Sequence, residues 1–295
     1  MATYKTYDTV GIREDLQNAI YDISPTTTPF MSTVGRTTAK NTLHEWQTDS
    51  LAAVNLDNAQ VEGADAVAPA LTPTTRVGNY TQISDKVIQV STTDDVVDKA
   101  GRSTETAYQL SKASAEIKRD MESILLSDQA QNAGGSALPR KLGGLASWIT
   151  TNTVDTAGAP LTEDMLKEAV LKAYNSGGEP DVLLVSPANK QVVSTFAGIA
   201  EQRYQAPKSS PTTIIGTADV YLSDFGSVNV VPDRFLSDDY SYVLDPSMAS
   251  VAYLRPFKSQ KLAKTGDSEK HLLNVEYTLV VNNEAAHAMM SDETP

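Results

Sequence analysis

The stretch STETAYQLSKASAEIKRDMESILLSDQ, residues 103–129, contains neither Gly nor Pro, the residues that most readily interrupt a helix. Leu110, Ala113, Ile117, Met121, Ile124 and Leu125 recur at steps of three and four, so they line one stripe of an α-helix. Glu105, Lys112, Glu116, Arg119 and Ser123 fall on the opposite face, toward water or a charged partner. Ser103 or Thr104 can cap the first turn, where Glu105 meets the positive end of the helix dipole. Glu116 and Arg119 are spaced for an i,i+3 ion pair. At 1.5 Å per residue the helix spans roughly 40 Å. That is longer than a compact domain ordinarily needs, so the rest of the chain is expected to be arranged around it.

The chain of 295 residues is long enough for one large domain or two. Its 37 acidic residues outnumber 24 basic ones, which argues against a protein that grips nucleic acid through phosphate contacts. With no Cys, neither a disulfide framework nor a thiolate metal site can form. The opening MATYKTYDTVGIRED lacks the apolar core of a secretory signal, and no run reaches the length of a membrane span. A secreted binding module is therefore disfavoured.

Before the long helix, residues 1–40 read as an arm. Leu16, Ile20 and Ile23 suggest one short helix that SPTTTPF stops, and Thr28-Pro29 can start another turn through Phe30, Met31 and Val34. NTLHEWQTD (41–49) alternates as a strand, with Thr42, His44, Trp46 and Thr48 on one face, and NYTQISDKVIQVS (79–91) looks like its return. Between them lies a segment rich in Ala, Asn, Pro and Thr, too long for an ordinary turn and expected to project from the body. TTDDVVDKAG adds a short helical turn. Beyond the long helix, a Gly-rich connection leads to an α/β region. It comprises a helix capped by Thr162, a buried strand DVLLV, a helix begun by Ser186-Pro187 and a hairpin turning at Asp224–Gly226. SYVLD, SVAYLRP and LNVEYTLVVN read as further strands.

Motifs that carry chemistry are missing. His44-Glu45 begins like a zinc-protease helix, but position 48 is Thr and the segment reads as strand. No GxSxG elbow accompanies His271 or His287, which leaves an α+β hydrolase as a distant alternative. No phosphate-cradling Gly loop occurs. The clusters Asp94-Asp95-Asp98, Glu163-Asp164 and Asp238-Asp239 sit where caps and solvated faces are expected, so no cofactor is implied.

An ordered set of phrases carries more: TPF (28–30), HEWQTD (44–49), VEG (61–63), IKRDMES (117–123), GGLASWI (143–149), SDFGSVNVVPDRF (223–235), LDPSMASVAYLRP (244–256) and LAKTGD (262–267). Together they resemble the major capsid proteins of tailed bacteriophages, over nearly the whole chain. The resemblance implies an α+β fold, the phage capsid fold shared with encapsulins. Its parts would be an N-terminal arm (1–40), an extended-loop hairpin (41–91), a peripheral domain with the spine helix (92–150), an axial domain (151–250) and a peripheral strand returning to it (251–295).

The resemblance further implies a non-enzymatic subunit of an icosahedral head, assembled in the host cytoplasm. Homo-pentamers and homo-hexamers would enclose double-stranded DNA touched non-specifically, with a portal and a separate scaffolding protein as partners and no membrane. An encapsulin-like compartment is the nearest alternative. Some shells of this fold weld a Lys of the extended loop to a neighbour's Asn; Leu51 to Ile83 contains no Lys, so that chemistry is not expected here. Candidate interface residues are Phe30 and Trp46 at the hairpin root, Asp57, Glu62, Asp65 and Arg76 in the loop, and Lys264 and Asp267 in the KTGDSEK turn. On the polar side of the spine helix they are Lys118, Arg119, Asp120 and Glu122, with Arg119 expected to meet a neighbour's acidic loop.

Overall fold

A computed structural model of the chain describes residues 27–63, 65, 71–98, 104–196 and 220–294. The helix expected from Leu16, Ile20 and Ile23 and the cap at Ser103 lie outside them. The long helix α3 (Glu105–Leu126) is capped by Thr104, whose hydroxyl accepts the Ala107 N–H at 3.3 Å. It runs about 33 Å at 1.5 Å per residue and buries Ala113, Ile117, Met121, Leu125 and Leu126. At roughly 1.5–3 kcal/mol for each large side chain taken out of water, this stripe alone anchors the helix.

Short helices and strands precede it: α1 (Pro29–Thr33), β1 (Gly35–Thr38), β2 (Leu43–Thr48), β3 (Thr75–Tyr80), β4 (Gln82–Ser91) and α2 (Thr92–Val96). After it come α4 (Leu145–Trp148), β5 (Thr153–Asp155), α5 (Glu163–Asn175), β6 (Val182–Val185), α6 (Pro187–Val193), β7 (Val220–Ser223) and β8 (Gly226–Pro232). β9 (Tyr240–Leu244), β10 (Ala249–Lys261), β11 (Ser268–Val281) and β12 (Ala288–Ser291) complete the chain. The helix starts expected at Thr162 and Ser186 are present, each hydroxyl accepting the N–H three residues on.

The strands form a four-stranded sheet β1-β10-β11-β4, a six-stranded sheet β5-β12-β9-β6-β8-β7, and the separate ribbon β2-β3. One expected pairing is corrected. The return for β2 is Thr75–Tyr80, register Leu43 to Tyr80 through Thr48 to Thr75, whereas most of 79–91 is β4 and pairs with β11. The break falls at buried Thr81. Its N–H still reaches Thr42 O at 2.8 Å, while its hydroxyl donates to Glu276 at 2.8 Å, so the chain is passed from ribbon to sheet.

The central strands β6 and β9 of the six-stranded sheet are buried on both faces, which is why DVLLV carries no polar alternation. Val182 and Leu184 point into the core shared with α3, and Leu183 and Val185 into a second core under α5 and α6. Tyr242 crosses the first core and donates its hydroxyl to Leu126 O at 2.7 Å, pinning the end of the long helix to β9.

Candidate functional site

The ribbon β2-β3 ends in the loop 49–74, of which residues 49–63, 65 and 71–74 are described. Within it Leu51, Val54, Leu56, Val61 and Leu71 are exposed, Leu51 at 98% and Leu56 at 96%. Large apolar side chains that open to water on one projection form a surface suited to burial against another chain. Among the described residues the Ser50 N–H reaches Asp49 and the Asp57 N–H reaches Asn55, while at the loop's base the Thr74 hydroxyl donates to Gln47 at 3.0 Å. Asp57, Glu62 and Asp65 are exposed and form no ion pair among the described residues, while Arg76 pairs across the ribbon with Glu45 at 2.9 Å.

The root of the ribbon is firmly held. Trp46 is half-buried, packs with Ala39, Ala252, Leu254 and Val280, and lies 5.4 Å from Trp148, ring centre to ring centre. Its expected neighbour Phe30 belongs to the main core instead, beside Ile117 and Met121. Asn79, which the sequence reading passed over, is fully buried. Its amide donates to Gly143 O and Leu279 O, and its oxygen accepts the Gly143 N–H. Beside it Glu276 gathers Thr81, Arg140 and Arg255, the last at 2.7 Å. Burial pushes the Glu276 carboxyl up, but the bonds from Thr81 and Arg255 outweigh it and hold it below the usual range.

Arg119 and Asp120 meet partners within their own subunit, while the polar face of α3 is corrected at Glu122. Glu122 is not on it: the side chain is fully buried and accepts the Phe30 and Met31 N–H groups at 2.6 and 3.0 Å, clasping α1 to α3. Burial first, then the facing Asp233 carboxyl, pushes Glu122 up to about 8, and burial raises Asp233 as well. Arg119 lies over the Phe235 ring, 5.4 Å from its centroid, within its own subunit. Asp120, with Glu116, faces Lys86 of β4 at 3.5 and 2.9 Å. Lys118 alone of the four stays exposed without an ion pair among the described residues, lining a groove with Arg36, Tyr253 and Phe257.

Lys264 and Asp267, in the β10–β11 turn, are exposed and touch α2. Lys264 Nζ reaches the Thr92 hydroxyl at 3.3 Å and Asp267 O accepts the Thr92 N–H. Tyr174 of α5 and Phe225 of the β7–β8 turn stack 4.6 Å apart, both about half exposed. His287 is buried and its Nδ1 accepts the Asp245 N–H at 3.2 Å, a structural contact.

Known proteins of similar sequence and shape agree with this arrangement. The major capsid protein of Escherichia phage Phieco32 is 29% identical over 340 aligned residues, covering 97% of this chain and 96% of its own. A chain from Mycobacterium phage Adephagia superposes with a TM-score of 0.67 at 13% identity over the full length of both. The holo-SrpI encapsulin complex of Synechococcus elongatus PCC 7942 superposes at 0.62 and 14% identity, covering 99% of this chain and 96% of the other. The fold is therefore that of phage capsids and encapsulins. The family model for the SU10 major capsid protein matches residues 2–294, and the chain belongs to that family of phage major capsid proteins.

Proposed function

We propose that the subunit self-assembles into pentamers and hexamers that close an icosahedral phage head around double-stranded DNA, catalysing no reaction. The observation that carries this reading is the ribbon β2-β3, rigid at its root and bare at its tip, with five exposed apolar side chains and an acidic loop. Such a tip is satisfied by burial on a neighbouring copy, and a heterologous contact of that kind closes into rings. On this reading residues 27–40 act as the arm, 49–74 as the extended loop, α3 with the four-stranded sheet as the peripheral part, and 151–250 as the axial part. The stacked Tyr174 and Phe225 belong to the axial surface. The groove with Arg36 and Lys118 offers positive charge to a neighbour's Asp57, Glu62 and Asp65. A separate scaffold and a portal complete assembly in the host cytoplasm, and DNA contact is non-specific.

Electron microscopy of the purified protein tests the proposal. Closed shells of uniform size are expected from the full chain, and only small oligomers after residues 52–73 are replaced by a short Gly-Ser linker. Normal shells from the shortened chain would refute the role of the loop. Particles filled with protein cargo rather than DNA would favour a compartment like the encapsulin it superposes on.

A further inference from the structure

Two carboxyls from distant parts of the chain meet inside the subunit. Glu122 of α3 and Asp233, which follows β8, are both fully shielded from water and face each other within hydrogen-bonding reach. Glu122 spends its two oxygens on the Phe30 and Met31 N–H groups of α1. One Asp233 oxygen accepts the Phe235 N–H at 2.8 Å, and the other has no donor unless a proton lies between the acids. Among the described residues no cation forms an ion pair with either acid. Arg119, one turn earlier on α3, lies over Phe235, and Arg234 points outward. From β10 comes the Tyr253 hydroxyl and from β1 the exposed Arg36, which interact with each other; among the described residues neither Arg36 nor Arg119 forms an ion pair with either acid.

We propose that Glu122 and Asp233 share one proton and act as a latch that holds the arm turn α1 and the 233–236 segment onto the spine helix, opening when the proton passes to solvent. Two negative charges in a dry pocket repel, and among the described residues no neighbouring cation neutralises either. The proton belongs to the pair, not to one residue. An open latch exposes both acids to water, where each ionises in the ordinary carboxylate range. Opening is therefore disfavoured at acid pH and becomes easier as pH rises toward the pair's own titration.

The test is amide hydrogen exchange on the purified, unassembled full-length subunit, read at Phe30 and Met31 and corrected for the intrinsic pH dependence of exchange. Protection should fall up to about tenfold per pH unit while the closed pair keeps a proton that the open acids have lost, then level off above about pH 8. In Asp233→Asn the amide donates to Glu122 at every pH, so protection should not vary with pH. Wild-type protection that stays flat up to about pH 9 overturns the proposal, as does an equal fall in Asp233→Asn. Glu122→Gln supplies a second reading if the first variant does not fold: it gives up one acceptor, so protection should be lower throughout but again flat, and a slope that persists counts against the latch.

Discussion

The indoles of Trp46 and Trp148 meet with their centroids 5.4 Å apart and their planes inclined by 40°, joining the projecting ribbon to the short helix beyond the spine helix. Trp46→Ala should cost about 1–3 kcal/mol in the unassembled subunit, less than for a fully buried Trp because part of the ring is already in water. Denaturant titration measures it. A loss below about 0.5 kcal/mol would place the ring outside the packing that holds the root.

Lys118 and Arg119 are adjacent in sequence but differently placed, Lys118 exposed and Arg119 over the Phe235 ring. Arg119→Glu removes the cation over Phe235 and turns a carboxylate toward a region that already holds Glu122 and Asp233. A loss of about 1–3 kcal/mol in subunit stability is expected. Lys118→Glu should leave subunit melting within about 0.5 kcal/mol and lower shell yield, most at low salt where charge is least screened. Light scattering during assembly reads the second effect. Equal behaviour of the two variants would contradict the structural distinction.

Gly144 lies against the end of the spine helix. A Cβ there would come within 2.2 Å of Ser127 O and 2.9 Å of Ile124 O, both backbone atoms. Gly144→Ala should therefore destabilise by about 1–3 kcal/mol or more, because neither carbonyl can swing away without opening the helix end. Gly135→Ala, with nothing within 4 Å, is the control and should melt like the parent.

Burial holds the His287 imidazole below its ordinary value of 6.5. The unfolded chain takes up a proton as pH falls through that value while the folded chain resists, so stability is present above it and lost below it. Glu293 runs the other way: burial pushes it up to about 7, so its contribution is lost as pH rises from 4.5 toward that value. The two slopes overlap, so the difference between parent and His287→Gln is the informative quantity. The stability advantage of the parent over the variant should be smaller at about pH 5 than at about pH 7.5. An unchanged acid-side slope would exclude His287 as its source.

The long helix, its cap and its buried stripe were legible because apolar spacing, cap residue and absence of Gly all pointed one way. The α5 and α6 starts were legible for the same reason. β1 was not, since GRTT is short, exposed and polar and owes its strand form to parallel pairing with β10. The pairing of β2 was misread because 75–91 is extended throughout, and only the tertiary bonds at Thr81 and Asn79 divide it. Glu122 shows the general limit. Its position next to the apolar stripe places it at the boundary of the helix face, and nothing local reveals that two N–H groups of a distant arm await it.

The handover at Thr81 also decides how the subunit bears load. A pull on the loop tip runs down β2 and β3 in the same direction, so it does not shear the bonds between them. The tension arrives at Thr42 and Thr81, where Asn79 passes it sideways to Gly143 and Leu279 and Arg140 takes part of it at Thr81 O. From there β4 spreads it along its ten-residue pairing with β11. A shell under internal pressure would thus draw each ribbon taut against a broad sheet, leaving the spine helix beside the line of force instead of on it.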